Sequence, residues 1–370
     1  MTETNVSRRQ VLAAAGGALM GGWMQKSVAG AMDWRAAKPS EAGFSDDLAA
    51  RLDKAIAGKR IWNMHAVIVV RGGRLVLERY FDGPDDARGK PLGVVRFGPE
   101  TLHDLRSASK SIVGLLYGIA LGDGKVPPPE QPLMQSFPEY TDLAADPARK
   151  RWTLHHVLSM TMGTDWDELS IPYTNPANSE IAMDRAPDRY RYVLERPIVT
   201  EPGKRWTYCG GATALLGRII AKGTGKSLHE YAREVLFDPL GMAPTDWYTG
   251  HDGELIAASG IRMLPRDLAR IGQLMLRGGE WDGHAVVPAE WIKRCTTAVV
   301  PIDENREYGY QWYLGRNEHF WNAAGNGGQR LYVVSERDLV VVTTSGNYDT
   351  PDQWLPPLRI MREVVLPAIL

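Results

Sequence analysis

The first strong periodic signal in the chain is "SDDLAARLDKAIAGK" (45–59), where Leu48, Leu52 and Ile56 recur at helical spacing. Ser45 stands where an N-cap belongs, and Asp46 and Asp47 suit the positive end, so an amphipathic helix is predicted. "HAVIVVRGGRLVLERYF" (65–81) then gives two β-rich runs around Gly72-Gly73, which predicts a hairpin. From residue 104, "DLRSASKSIVGLL" turns apolar, and Ile112, Val113, Leu115, Leu116 and Ile119 predict a largely buried helix. Helical patterns broken by Pro and Gly follow at 153–160, 178–195, 211–222, 227–237 and 265–277. Near the end, "YGYQWYLG" (308–315), "RLYVVS" (330–335) and "DLVVVTTSG" (338–346) predict strands, the last two joined by a tight turn at Glu336-Arg337-Asp338. A final helix is predicted from about 354 to 367.

Strands at both ends with helices between them predict an α+β fold. One antiparallel sheet is assembled from both chain ends and flanked by helices (about 40–110 and 280–370), and a mainly helical part (about 111–279) is inserted between. A chain of 370 residues with 44% hydrophobic content can bury one large core or two coupled ones. Between the helices, "MGTDWDELSIPYTNPANSE" (162–180) is a long polar and aromatic loop. Loops of that length line sites or move, so Asp165 and Trp166 are candidates for substrate contact.

Charge and cysteine usage narrow the function classes. A formal net charge of −1, with no basic run after the N-terminus, argues against a nucleic-acid surface. The first 31 residues read as a targeting segment: Arg8-Arg9, a short weakly apolar stretch, then the small-x-small Ala29-Gly30-Ala31. They resemble a twin-arginine export signal, which predicts a periplasmic or secreted protein whose single catalytic unit begins at residue 32. The run is too short and too rich in Gly and Ala for a transmembrane anchor, so no stable membrane anchor is expected after cleavage. Cys209 and Cys295 are the only cysteines, and they read as two free thiols.

The chemistry starts at Ser107 and Lys110, the only Ser-x-x-Lys in the chain. Positions three apart share a helix face, so the hydroxyl and the amine can touch. Burial disfavours a charged lysine and turns it toward a base, which makes the pair an activated-nucleophile arrangement. Alone, the same residues also fit a helix cap and a snorkelling lysine. Two further stretches support the chemical reading: "EPGKRWTYCGG" places Tyr208 on a turn before a helix, and "AAGNGGQRLYVV" sets a glycine-rich edge before a strand. Other motifs fail. "GTGKS" (223–227) lacks the first glycine of a phosphate loop, and Gly223 and Gly225 read as helix-ending residues. The absence of a G-x-S-x-G elbow disfavours an α/β-hydrolase; there is no H-E-x-x-H, His155-His156 has no acidic partner at ligand spacing, and neither a metal nor a cofactor is expected.

Taken in order, "SASK", "YCG" and "NGGQ" resemble the three signature motifs of the penicillin-recognising serine hydrolases, in particular the class C β-lactamase-like esterases and 6-aminohexanoate-dimer hydrolases. The resemblance covers nearly the whole mature chain. It implies Ser107 as nucleophile, Lys110 as its partner base and Tyr208 as the proton relay to the leaving group. It further implies an oxyanion hole from the backbone N–H groups of Ser107 and Gln329, with Asn326, Gly327 and Gly328 in substrate binding. The expected activity is hydrolysis of a small ester or amide through an acyl-enzyme. Two other readings stay open: a β-lactamase or D-amino-acid peptidase acting on cell-wall-type substrates, and an inactive binding protein. Two positions depart from the pattern. Gly210 replaces the usual Asn of the second motif, which holds the acyl-amide side chain of lactams. Asn326 replaces the Lys or His of the third, which helps hold their carboxylate.

Overall fold

The computed structural model describes residues 34–316 and 319–370, so the segment expected to be an export signal (1–31) lies outside the described residues. Eight strands form the main sheet: β1 (Met64–Arg71), β2 (Arg74–Tyr80), β3 (Val300–Pro301), β4 (Arg306–Tyr308), β5 (Tyr313–Gly315), β6 (Trp321–Gly325), β7 (Gln329–Val334) and β8 (Leu339–Ser345). Their order is β3-β4-β5-β6-β7-β8-β1-β2, antiparallel throughout, with the two chain ends meeting where β8 pairs with β1. At that seam Val67 lies opposite Thr343 and Val69 opposite Val341. The β1–β2 hairpin turns on Gly72 and Gly73, both at positive φ (59° and 68°), the combination a two-residue turn between twisted strands requires.

Both faces of the sheet are covered, which is why its central strands read as continuous apolar runs instead of alternating ones. Five helices bound the core: α1 (Leu48–Ala57), α2 (Ser109–Gly122), α3 (Gly210–Thr224), α4 (Pro265–Leu276) and α5 (Ala289–Thr296). Val67, Val69, Leu339 and Val341 pack with Leu48 and Leu52 of α1 and with Ile360 and Val364 near the C-terminus. Ile68, Val70, Val340 and Val342 point the other way, into the larger core with Ile112, Leu116 and Leu268. Helix α4, placed in the helical part by sequence, packs on the sheet: a Cβ on Gly272 would lie 2.6 Å from Val340 and 2.8 Å from Leu331. Among the described residues, no helix is long and apolar enough to cross a membrane.

Four local expectations change. Helix α1 starts at Leu48 with Asp47, not Ser45, at its N-cap position. The helix predicted over 178–195 is two, Ser179–Arg185 and Arg189–Glu195. Pro187 interrupts the first, and the Asp188 carboxylate caps the second by accepting from the Tyr190 and Arg191 amides. The run 308–315 is the ends of β4 and β5, joined through Gln311 at φ 62° with its side chain bonded to Leu158 O and Thr213 Oγ1. The C-terminal helix begins at Leu355 and loses its regular α geometry from Ile360. Cys209 and Cys295 are both buried and unpaired.

Helix α2 is buried along its whole length from Ser109 to Ala120. It can be, because Gly118 lets Trp291 of α5 lie against its backbone, with the indole donating to Gly114 O at 2.8 Å, and Gly114 gives room to Gln311. A Cβ on Gly118 would fall 1.9 Å from that ring. Gly118→Ala should therefore lose more in overpacking, typically about 1–3 kcal/mol, than it gains from the roughly 1 kcal/mol helix preference of alanine. Urea denaturation of the variant should show a net loss of stability.

Candidate active site

Ser107 sits in a tight turn, Arg106–Ala108, that runs straight into α2. In such a turn residues three apart eclipse one another, and Lys110 Nζ donates to Ser107 Oγ at 3.0 Å. The turn is strained, because Arg106 adopts φ 49°, a left-handed conformation that costs a non-glycine residue on the order of 1–3 kcal/mol. Surrounding contacts hold it there. The Arg106 guanidinium stacks 4.3 Å from the Tyr348 ring centre and donates to the Asp86 carboxylate at 3.2 Å. The Leu105 amide donates to Ile261 O at 2.9 Å. Gly325 at the end of β6 meets the turn so closely that a Cβ would lie 2.1 Å from Leu105 O.

Lys110 is 2% exposed, so its amine depends on protein partners. It donates also to Ala258 O at 3.2 Å, lies 4.8 Å from the Tyr208 ring centre, and stands 3.9 Å from Glu168 Oε1. Glu168 was not singled out in the sequence, and no periodic signal marks it. Its carboxyl is fully buried and pushed up to about 8, first by burial and next by the neighbouring Glu180, with Lys110 acting in the opposite sense. Oε2 accepts from the Trp166 indole at 2.5 Å and from the Gly210 amide at 2.6 Å, which leaves Oε1 as the oxygen toward Lys110. The carboxyl is thus largely neutral near pH 7.

Tyr208 precedes α3, whose N-cap is Cys209. Burial, then Glu168, raises its hydroxyl well above the usual tyrosine range, while hydrogen bonding to Ser107 acts the other way. It therefore stays protonated and can donate. The ring packs against Trp206 and Tyr313 at 5.9 and 6.5 Å between centres.

A cavity of about 530 Å³ opens over Ser107, lined also by Tyr173, Glu180, Asp184, Ser259 and Asn326. A larger hollow of about 830 Å³ lies by β5, β7 and Trp354, and its lining contains no serine, cysteine, histidine or lysine. Of the residues predicted to contact substrate, Asn326 reaches this cavity, with its amide held by Asp349 in a two-way pair at 2.6 and 2.9 Å. Gly327 and Gly328 do not line it. At φ 92° and 99° they press against Tyr348 and Ser345, where a side chain has no room. Gln329 begins β7 opposite Gly325, its side chain is tied to Ser345 O at 2.7 Å, and it does not line the cavity. Asp165 is paired with Arg196 at 2.7 Å and lies away from the cavity, and Trp166 is buried as the donor that holds Glu168. The long loop 162–180 does reach the cavity, through Tyr173 and Glu180 instead. His155 is satisfied by the Tyr310 hydroxyl at 2.7 Å, a structural role.

Similarity to known proteins points the same way. The chain is 27% identical over 311 residues to a 6-aminohexanoate-dimer hydrolase of Paenarthrobacter ureafaciens, covering 78% of this chain and 73% of that one. It is 28% identical over 211 residues to esterase EstB of Burkholderia gladioli, covering 53% of this chain and 50% of the other. The solved structure of EstCE1, a hydrolase with promiscuous acyltransferase activity, shares the fold with a TM-score of 0.69 at 17% identity, over 86% of this chain and 98% of that one. The sequence model of the β-lactamase family matches residues 59–356, a span that takes in the sheet from both chain ends and every helix of the core except α1, and the chain belongs to that family.

Proposed function

We propose that this family hydrolase is a serine esterase or amidase that cleaves small substrates through an acyl-enzyme at Ser107. One observation supports this above the rest: a buried amine 3.0 Å from a serine hydroxyl at the floor of an open cavity. Lys110, when neutral, takes the Ser107 proton as the hydroxyl oxygen attacks the carbonyl carbon. The tetrahedral oxyanion is met by the backbone N–H groups of Ser107 and Gln329. Tyr208, protonated and beside Ser107, gives a proton to the departing alcohol or amine. The bond to the leaving group breaks, and the acyl group stays on Ser107 until water removes it by the reverse proton path. The relatives named as esterases and as an aminohexanoate-dimer hydrolase support ester or amide bonds as the substrate class.

The two departures from the lactam-binding pattern favour neutral esters. Gly210 has no side chain, and one could not be added simply, since its Cβ would sit 3.1 Å from both the Glu168 and Glu180 carboxylates. Asn326 has no charge and is already paired with Asp349. Losing a hydrogen bond costs about 0.5–1.5 kcal/mol and a charge-assisted one about 1.5–3, together on the order of a hundred-fold in transition-state binding of a carboxylated lactam.

Three outcomes follow. Ser107→Ala should fold normally and lose on the order of 10⁴-fold in kcat. Intact mass after fluorophosphonate treatment should show one label on the wild type and none on this variant, and a variant keeping over a tenth of turnover would exclude the nucleophile. On one preparation, kcat/KM for a short-chain nitrophenyl ester should exceed that for a chromogenic cephalosporin, and the reverse order would favour the β-lactamase reading. The third concerns Glu168. The folded chain keeps its proton up to about 8, whereas the unfolded chain releases it near 4.5, so its contribution to stability falls as pH rises between those values and is level above them. Glu168→Gln removes that titration. The stability of the wild type relative to this variant, from urea midpoints at pH 5 and pH 8, should be lower at pH 8.

A further inference from the structure

A second polar cluster is buried outside the Ser107 cavity. His65 on β1, Asp85 on the strand Gly83–Ala87 and His103 on the strand His103–Asp104 place one ligand atom each within 4.8 Å of one another. Both imidazoles are completely buried. Their nitrogens form a chain of contacts: Asn63 Oδ1 to His65 Nε2 at 3.3 Å, His65 Nδ1 to His103 Nε2 at 2.8 Å, and His103 Nδ1 to Asp104 O at 3.0 Å.

With both outer contacts hydrogen-bonded, this chain is one proton short at its centre. The Asp104 carbonyl can only accept, so His103 carries its N–H at Nδ1. Asn63 Nδ2 donates to the Pro84 carbonyl at 3.3 Å, which turns Oδ1 toward His65 and makes the other end an acceptor too. That outer contact is a hydrogen bond when His65 carries its N–H at Nε2. Each neutral ring has one N–H, and both are spent on the ends. At the centre, two nitrogen lone pairs face each other at 2.8 Å with no hydrogen between them. A cation placed between the two rings would satisfy both lone pairs, and a metal ion binds neutral imidazole directly.

We propose that His65 Nδ1, His103 Nε2 and the Asp85 carboxylate bind a divalent transition-metal ion, with Zn²⁺ the best match to two imidazoles and one carboxylate. Asp85 Oδ1 is 4.0 Å from His65 Nδ1 and is oriented by the Tyr348 hydroxyl at 3.0 Å. The outer N–H groups of both rings are already engaged, the arrangement that fixes the tautomer of a ligating histidine. Phe97 stacks on His65 with 3.9 Å between ring centres and shields that side. At zinc–nitrogen distances of about 2.0–2.1 Å the two rings need to separate by only about half an ångström. The ion would tie together β1 and the strands carrying Asp85 and His103. Through Tyr348, which also supports Arg106, it would brace the strained turn that presents Ser107. The assignment stands independently of the proposed hydrolase activity.

The full chain is stripped with EDTA, equilibrated with Zn²⁺, desalted and assayed for metal by mass spectrometry. We expect about one zinc per chain, a rise in Tm on adding Zn²⁺, and visible d–d absorption when Co²⁺ is substituted. His65→Gln and Asp85→Asn should lose both the uptake and the thermal shift, whereas His284→Gln, at an exposed histidine, should keep them. Uptake below about a tenth of an equivalent by the wild type would overturn the site, as would uptake unchanged in the His65 and Asp85 variants. The cobalt spectrum of the wild type keeps the test decisive if a variant fails to fold.

Discussion

The buried amine of Lys110 is the constraint around which the rest of this structure is arranged. An ammonium or amine taken out of water loses several kcal/mol of solvation unless protein groups replace it. Here the replacements come from segments far apart in the chain: Ser107 from the preceding turn, Ala258 from the loop before Ile261, Glu168 from the long loop, and the Tyr208 ring from the approach to α3. Each candidate for chemistry is therefore also a solvation partner of one side chain. The same burial that brings them together sets their protonation: it raises Glu168 and Tyr208.

Such convergence needs backbones to approach more closely than side chains permit, and glycine supplies the clearance. Gly325 lets the nucleophile turn press on β6, Gly210 gives space to two carboxylates, and Gly118 admits Trp291 against α2. The position where the related motif has Asn is thus occupied by a residue whose lack of a side chain preserves the Glu168–Glu180 pair. In the proposed mechanism, substrate preference and the electrostatics around Lys110 are linked through one residue.

The sheet provides the rigid frame. Its two faces bury separate cores, and its central strands β6 and β7 lie beside the turn Arg106–Ala108 that carries Ser107. Arg106 keeps a left-handed backbone only because Asp86, Tyr348 and the edge of β6 surround it, so strain at the nucleophile is sustained by contacts drawn from both chain ends.

Features written in local spacing were legible in the sequence by itself. The Ser107–Lys110 offset, the Gly72-Gly73 hairpin, the apolar face of α1 and the strands at both ends depend on neighbours a few residues away, where backbone periodicity governs what can touch. The same local logic was misapplied at Pro187, which ends one helix where a single longer one was expected, and at Gln311, whose left-handed backbone is held by partners more than a hundred residues distant in Leu158 and about a hundred in Thr213. Asp165 and Trp166 lay in the correct loop, but only packing could show that one faces Arg196 and the other serves Glu168. Glu168, Glu180 and the His65–His103 contact were decided by the tertiary structure alone. Their chemistry arises from desolvation and from groups brought together across the fold, and neither quantity exists until the chain has closed on itself.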